Sequence, residues 1–168
     1  MKQVLDWELL LAEDCPWACF AVCPEEHIDR FVQSAQMERG IIARIIRGRR
    51  CSSVEALFQE WAAALQFPYY FGNNWDAFEE CISDLEWLSG RAFVIFITQV
   101  ERVLPSLNRE FRMLLEILQS SVADLRSREG REDCGRGSGT HLRFVFHSHH
   151  EHASAARERL AGAGLLDL

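Results

Sequence analysis

The sequence predicts an α/β fold: one domain with a small, mostly parallel sheet and helices between its strands. Three observations carry this. Short apolar or β-branched runs at 17–22, 41–46, 92–97 and 142–146 alternate with stretches whose apolar residues recur at helical spacing. The run at 92–97 is apolar throughout, the mark of a strand covered on both faces. The chain has 168 residues, enough for one good core, and no repeat or long linker divides it. Strands alternating with helices imply parallel pairing and right-handed crossovers.

The elements follow in order. Residues 17–22 form a strand closed by Pro24, and Ile28, Phe31, Val32 and Ala35 mark a helix over 25–39, which Gly40 stops. Residues 41–46 are rich in isoleucine and read as a strand. Ser52 and Glu55 have capping-box spacing, opening a helix whose stripe is Val54, Leu57, Phe58, Trp61 and Leu65. An aromatic, Pro/Gly/Asn-rich loop occupies 67–74, and a second helix is expected over 75–88. After the strand at 92–97, Pro105 precedes a long helix carrying Leu107, Phe111, Leu114, Leu115, Leu118 and Val122. Residues 127–140 are polar and glycine-rich, so a flexible loop is expected. The strand at 142–146 is followed by a tail with a short helix from 153.

Charge narrows the function. No run of about eighteen apolar residues is present, which excludes a membrane-spanning helix. The N-terminus lacks the pattern of an export signal, and a cytoplasmic location is expected. Six cysteines occur without a Cys-x-x-Cys pair, so Cys15, Cys19, Cys23, Cys51, Cys81 and Cys134 are expected as free, mostly buried thiols. The net charge of −7 disfavours binding to a nucleic-acid backbone, which needs clustered Lys and Arg. Between 51 and 90 there is no Lys or Arg, while Glu55, Glu60, Asp76, Glu79, Glu80, Asp84 and Glu86 all fall there. The rest of the chain is balanced.

The helix from Trp75 concentrates this charge. Trp75, Phe78, Ile82, Leu85 and Leu88 share one face, and Asp76, Glu79, Glu80 and Asp84 line the opposite side. Asn73 or Asn74 is placed to cap it, and Asp76 in the first turn suits the helix dipole. An acidic face is ordinarily a solvated one. Here no basic residue balances it, and Tyr69, Tyr70 and Phe71 stand on the loop before it. Anchoring rings beside a field of one sign describe a protein interface for a basic partner.

The run Pro68-Tyr69-Tyr70-Phe71-Gly72-Asn73-Asn74-Trp75-Asp76-Ala77-Phe78-Glu79-Glu80-Cys81 resembles the inhibitory loop and helix of the barstar family, intracellular inhibitors of a small secreted ribonuclease. The order of elements from 41 to 146 matches as well. The resemblance implies a barstar-like domain over 41–150; the segments outside it have no family counterpart and are expected as an N-terminal strand–helix extension over 1–40 packed on the same domain and a C-terminal tail over 151–168. It implies that the loop and helix plug a ribonuclease active site, their carboxylates standing where RNA phosphates bind. Tyr70 then matches the leading aromatic contact, Gly72 the loop glycine, Asn74 the asparagine before the helix, Asp76 and Glu80 the two key acids, and Cys81 the half-buried cysteine. Tyr69, Asn73, Glu79 and Asp84 complete the expected partner-binding set. Glu80 is one methylene longer than the family aspartate, Glu79 replaces a tryptophan, and Phe71 replaces a second tyrosine. The expected partner is a small basic ribonuclease or nuclease toxin, with no nucleic acid and no membrane bound. A barstar-like immunity module aimed at another basic protein is the alternative.

Two other chemistries have weaker support in the sequence. His147, His149, His150 and His152, with His141 upstream, have imidazoles placed for zinc, nickel or copper if a carboxylate such as Glu151 or Asp133 joins them. A polar surface terminus is the plainer account, so no metal ligand and no cofactor is assigned. No phosphate-binding Gly loop follows a strand, and no Gly-x-Ser-x-Gly elbow occurs. Asp76 and Glu80 lie on a surface helix with nothing to desolvate them, so no catalytic residue is assigned and an enzyme is not expected.

Overall fold

The computed structural model describes residues 5–35, 40–128 and 141–168. Its elements run α1 (Trp7–Leu11), β1 (Ala18–Val22), α2 (Glu25–Ser34), β2 (Ile41–Arg47), α3 (Val54–Leu65), α4 (Trp75–Asp84), β3 (Ala92–Thr98), α5 (Asn108–Arg128), β4 (His141–Ser148), α6 (Ala153–Arg159) and β5 (Leu166–Asp167). The five strands form one sheet in the order β2-β3-β4-β1-β5, and every pairing is parallel.

Strand alternation divides the core between the two faces. Phe93, Ile95 and Ile97 of β3 join Phe144 and Phe146 of β4 and Phe20 of β1 on one face, with the stripes of α3, α4 and α5 packed over them. Val94 and Phe96 point the other way with Val145, Cys19 and Ala21, beneath Leu10 of α1 and Ile28 of α2. All of β3 is buried, as its unbroken apolar run requires. The N-terminal segment thus supplies both a strand and the second helical layer.

Several boundaries differ from the expectation. The helix over 25–39 is α2, which ends at Ser34, and residues 36–39 lie outside the described residues. Ser53, not Ser52, caps α3: its hydroxyl accepts from the Ala56 amide, so Glu55 falls one position short of the box. The helix expected over 75–88 stops at Asp84 because Leu85 turns left-handed (φ 51°) and sends its N–H back to Cys81 O. Leu85 and Leu88 still reach the core, from the turn beyond the helix, and Trp87 fixes that turn by donating Nε1–H to Leu65 O at 2.8 Å. Part of the expected 127–140 loop continues α5 to Arg128, and residues 129–140, Asp133 and Cys134 among them, lie outside the described residues.

The tail is folded rather than loose. Ala156 and Leu160 enter the core, Trp17 donates Nε1–H to Ala163 O at 2.7 Å, and β5 pairs with β1. No expectation covered α1 or β5. Among the described residues, no helix is long and apolar enough to cross a membrane.

Candidate functional site

The loop before α4 is held from below by aromatic contacts. Phe71 packs edge-on against Phe58 of α3 at 5.9 Å and against Phe67 at 4.9 Å. It is an anchor facing the core, not an exposed ring as its place in the aromatic run had suggested. With Phe71 drawn inward, Tyr69 and Tyr70 project. Tyr69 is fully exposed and Tyr70 is 65% exposed, and their rings meet edge to face at 5.6 Å. They are the exposed large hydrophobic side chains of the described residues.

Asparagines turn the chain from loop into helix. Asn73 adopts the left-handed conformation (φ 50°), which asparagine tolerates because its short amide bonds locally, here by donating Nδ2–H to Phe71 O. Asn74 is the N-cap: Oδ1 accepts from the Ala77 amide at 2.9 Å, while Nδ2 donates to Gly72 O at 3.3 Å. A Cβ at Gly72 would lie 2.9 Å from Asn74 Nδ2, so a side chain there would displace the amide that bonds Gly72 O.

The buried face of α4 sets its rotation. Phe78 is fully buried among Phe58, Trp61, Phe67 and Trp75, and Ile82 and Cys81 are buried beside it. Ser83 donates to Ser121 on α5 at 3.0 Å, closing the seam between the two helices. Asp76, Glu79 and Glu80 are therefore exposed, while Asp84 is only half exposed. Ser120 Oγ of α5 lies 3.4 Å from Glu79 Oε1 and 3.0 Å from Ile117 O, which share its one hydrogen. Sequence reasoning missed Ser120 and Ser121; their one trace is a polar pair interrupting the stripe between Leu118 and Val122. Burial is the largest influence on the Cys81 thiol, and with Glu80 and Asp84 it pushes the pKa up to about 11, which keeps the thiol protonated.

Three acids of the Lys/Arg-free segment do not belong to this face, Glu86 being one, in the turn beyond α4. Glu55 is exposed on α3 and accepts from Gln59. Glu60 is buried and gripped by Arg47, from outside the segment, with Nε–Oε1 at 2.7 Å and Nη2–Oε2 at 3.0 Å. Its charge is spent inside the fold. The acidic surface is thus narrower than the sequence count and centred on α4.

The histidines go elsewhere. His147 is buried on β4 with Nε2 at 2.8 Å from Cys23 O, so Nε2 carries the hydrogen. Burial is the main cause of a pKa held below the ordinary histidine range. His149 lies 5.2 Å away ring to ring and 3.8 Å from Glu25. His152 approaches Glu151 at 3.5 Å. Among the described residues, no three His, Cys, Asp or Glu side chains come together as a metal site would need.

With this geometry in view, a family model described as Barstar (barnase inhibitor) matches residues 42–135, from β2 to beyond α5. No curated protein sequence matches the chain. Among solved structures, the ORC2 protein of Aeropyrum pernix in ADPNP–ADP complexes aligns with 11% identity and a TM-score of 0.47, over 95% of this chain and 43% of that one. Drosophila ORC bound to DNA aligns with 16% identity and a TM-score of 0.43, over 92% of this chain and 26% of that one. The chain spans less than half the length of either structure.

Proposed function

The chain belongs to the barstar (barnase inhibitor) family, and on that premise we propose that it inhibits a ribonuclease by covering the enzyme's basic active site with the 69–74 loop and α4. The single observation that carries this reading is the pairing of the exposed Tyr69–Tyr70 rings with the Asp76, Glu79 and Glu80 face inside the family-matched segment. A ribonuclease holds a polyanion with cationic side chains. Carboxylates on a rigid helix satisfy the same groups without offering a bond to cleave.

Each group has a part in the proposal. Tyr70 is the leading ring contact and Tyr69 flanks it. Gly72, Asn73 and Asn74 fix the loop so that α4 begins where Asp76 meets the enzyme. Asp76 and Glu80 are the central acids, with Glu79 and Asp84 beside them. Residues 41–150 form the inhibitory unit and 1–40 an extension on the same domain. Free thiols suit a reducing cytoplasm, where such an inhibitor protects the cell that makes it.

A second reading is favoured by one observation. Glu79, where the family resemblance gives tryptophan, is exposed and adds a carboxylate to the face. A family scaffold directed at a different basic protein or nuclease toxin would carry that change. The test is a panel of small basic secreted ribonucleases, assayed for RNA cleavage with and without the protein at low and high salt. Inhibition of at least one enzyme, with association slowing as salt rises, is the expected outcome. Basic proteins captured with no effect on any RNase activity would replace the first reading by the second.

A further inference from the structure

Outside the family-matched segment, Cys15 and Cys19 bring their sulfurs to 3.8 Å in the buried layer beneath α1. Cys15 lies in the turn after α1 and Cys19 on β1. Arg143 of β4, itself 1% exposed, interacts electrostatically with both thiols, more strongly with Cys15 than with Cys19. Its Nη1 donates to Leu142 O and its Nη2 to Ala12 O, while Nε finds no acceptor. No carboxylate of the described residues pairs with it. A second guanidinium, Arg126, donates to Cys15 O at 2.9 Å. A buried guanidinium without a carboxylate is costly, and it rewards any negative charge that develops on an adjacent atom.

We propose that Cys15 and Cys19 are an oxidation site, converted by peroxide to an intramolecular disulfide with Arg143 as the electrostatic partner of the reacting sulfur. Cys15 Sγ attacks one peroxide oxygen, the O–O bond breaks, and the departing hydroxide leaves as water with the thiol's proton. Cys19 Sγ then displaces hydroxide from the sulfenic sulfur; the S–S bond forms and a second water carries off the Cys19 proton. Two thiols lose two electrons and two protons, and one peroxide becomes two waters. Cys19 is the resolving thiol because it is fixed on β1 with no exposed surface, whereas Cys15 sits in the turn after α1 and is 4% exposed. The sulfurs must close by about 1.8 Å to reach bonding distance. The product ties the turn after α1 to β1.

Solvent access alone makes the opposite prediction. Cys23 is half-buried and more accessible than either member of the pair, so an unselective oxidant meets it first. The experiment treats the reduced full chain with limiting hydrogen peroxide, alkylates the remaining thiols and maps them by mass spectrometry. The expected result is a Cys15–Cys19 cross-link forming at least about tenfold faster than oxidation of Cys23. In Cys19→Ser, a sulfenic acid trapped by dimedone at Cys15 is expected. Arg143→Lys, which keeps the charge but loses the fork, is expected to slow the cross-link while leaving the Cys23 rate unchanged. Oxidation of Cys23 first, or Cys15 and Cys19 both remaining alkylatable after denaturation, would overturn the proposal.

Discussion

Arg47 holds Glu60 twice over: its guanidinium spans the carboxylate at 2.7 and 3.0 Å, and its backbone N–H donates to the same Oε1 at 3.1 Å. The second contact occupies an amide on the last residue of edge strand β2 and ties that strand to α3. Burial by itself pushes the Glu60 pKa up. The hydrogen bonds from the Arg47 side chain and backbone outweigh it and hold the carboxyl below the ordinary glutamate range. The Arg47 side chain is 41% exposed, so the pair ranks between a surface ion pair and a fully buried one. Glu60→Gln is expected to cost about 1–3 kcal/mol, read as a lower urea midpoint. Because the folded carboxyl titrates lower than the unfolded one, the native chain loses this stability as pH falls from about 4.5 through the lower folded value, and the variant's acid limb should be flatter.

His147 gives a separate pH dependence. Burial, the largest influence, holds the imidazole below its ordinary pKa of 6.5, and the contact to Cys23 O and the Glu25 and Glu101 carboxylates only partly oppose it. The unfolded chain therefore takes a proton near pH 6.5 that the folded chain refuses. Stability is full above that value and declines as pH falls toward the folded pKa. Thermal midpoints at pH 7.5 and 5.5 should differ in the native chain and converge in His147→Gln. An equal drop in both would remove His147 as the cause.

What the sequence disclosed follows from how local each cause is. The buried run at 92–97 and the stripes of α3 and α5 were legible because burial imposes its own period. The 68–81 segment was legible because Asn74 caps from within it. Glu60 misled because its partner is thirteen residues away on another element. The left-handed turn at Leu85 had no glycine to announce it. Helix α1 has only five residues, held by the burial of Leu10 and the stacking of Trp7 on Phe31 at 4.2 Å, and β5 exists as two residues because β1 offers an edge. Those tertiary causes have no local signature, and the local signal of α1 is confined to Asp6, whose carboxylate accepts from the Glu8 amide.

Asn74 joins loop and helix, and its variants separate the roles of its two ends. Asn74→Ala removes the cap on the Ala77 amide and the donor to Gly72 O. A loss of about 1 kcal/mol is expected from the cap. Asn74→Asp keeps the acceptor and forgoes the donor to Gly72 O. Urea titrations should rank the native chain and Asp together, above Ala. If Asp fell as far as Ala, the Nδ2–Gly72 contact rather than the cap would hold the junction.

Asp76 and Glu80 are the energetic centre of the proposed interface, and Glu55 is their internal control. All three are exposed and lie in the segment without Lys or Arg, yet only the first two belong to the α4 face. Glu60 is no control, because its removal unfolds the Arg47 tie instead of testing the surface. Close charge pairs in the barnase–barstar complex itself have coupling energies of about 1.5–7 kcal/mol, and that range scales the expectation for this relative. Asp76→Asn and Glu80→Gln should each weaken inhibition of the cognate ribonuclease by more than about tenfold, while Glu55→Gln changes it by less than about twofold. The loss should appear chiefly in dissociation, since each variant leaves an enzyme cation covered but unpaired. Inhibition constants that rise by the same factor for all three variants would show that net charge, and not the geometry of α4, drives the binding.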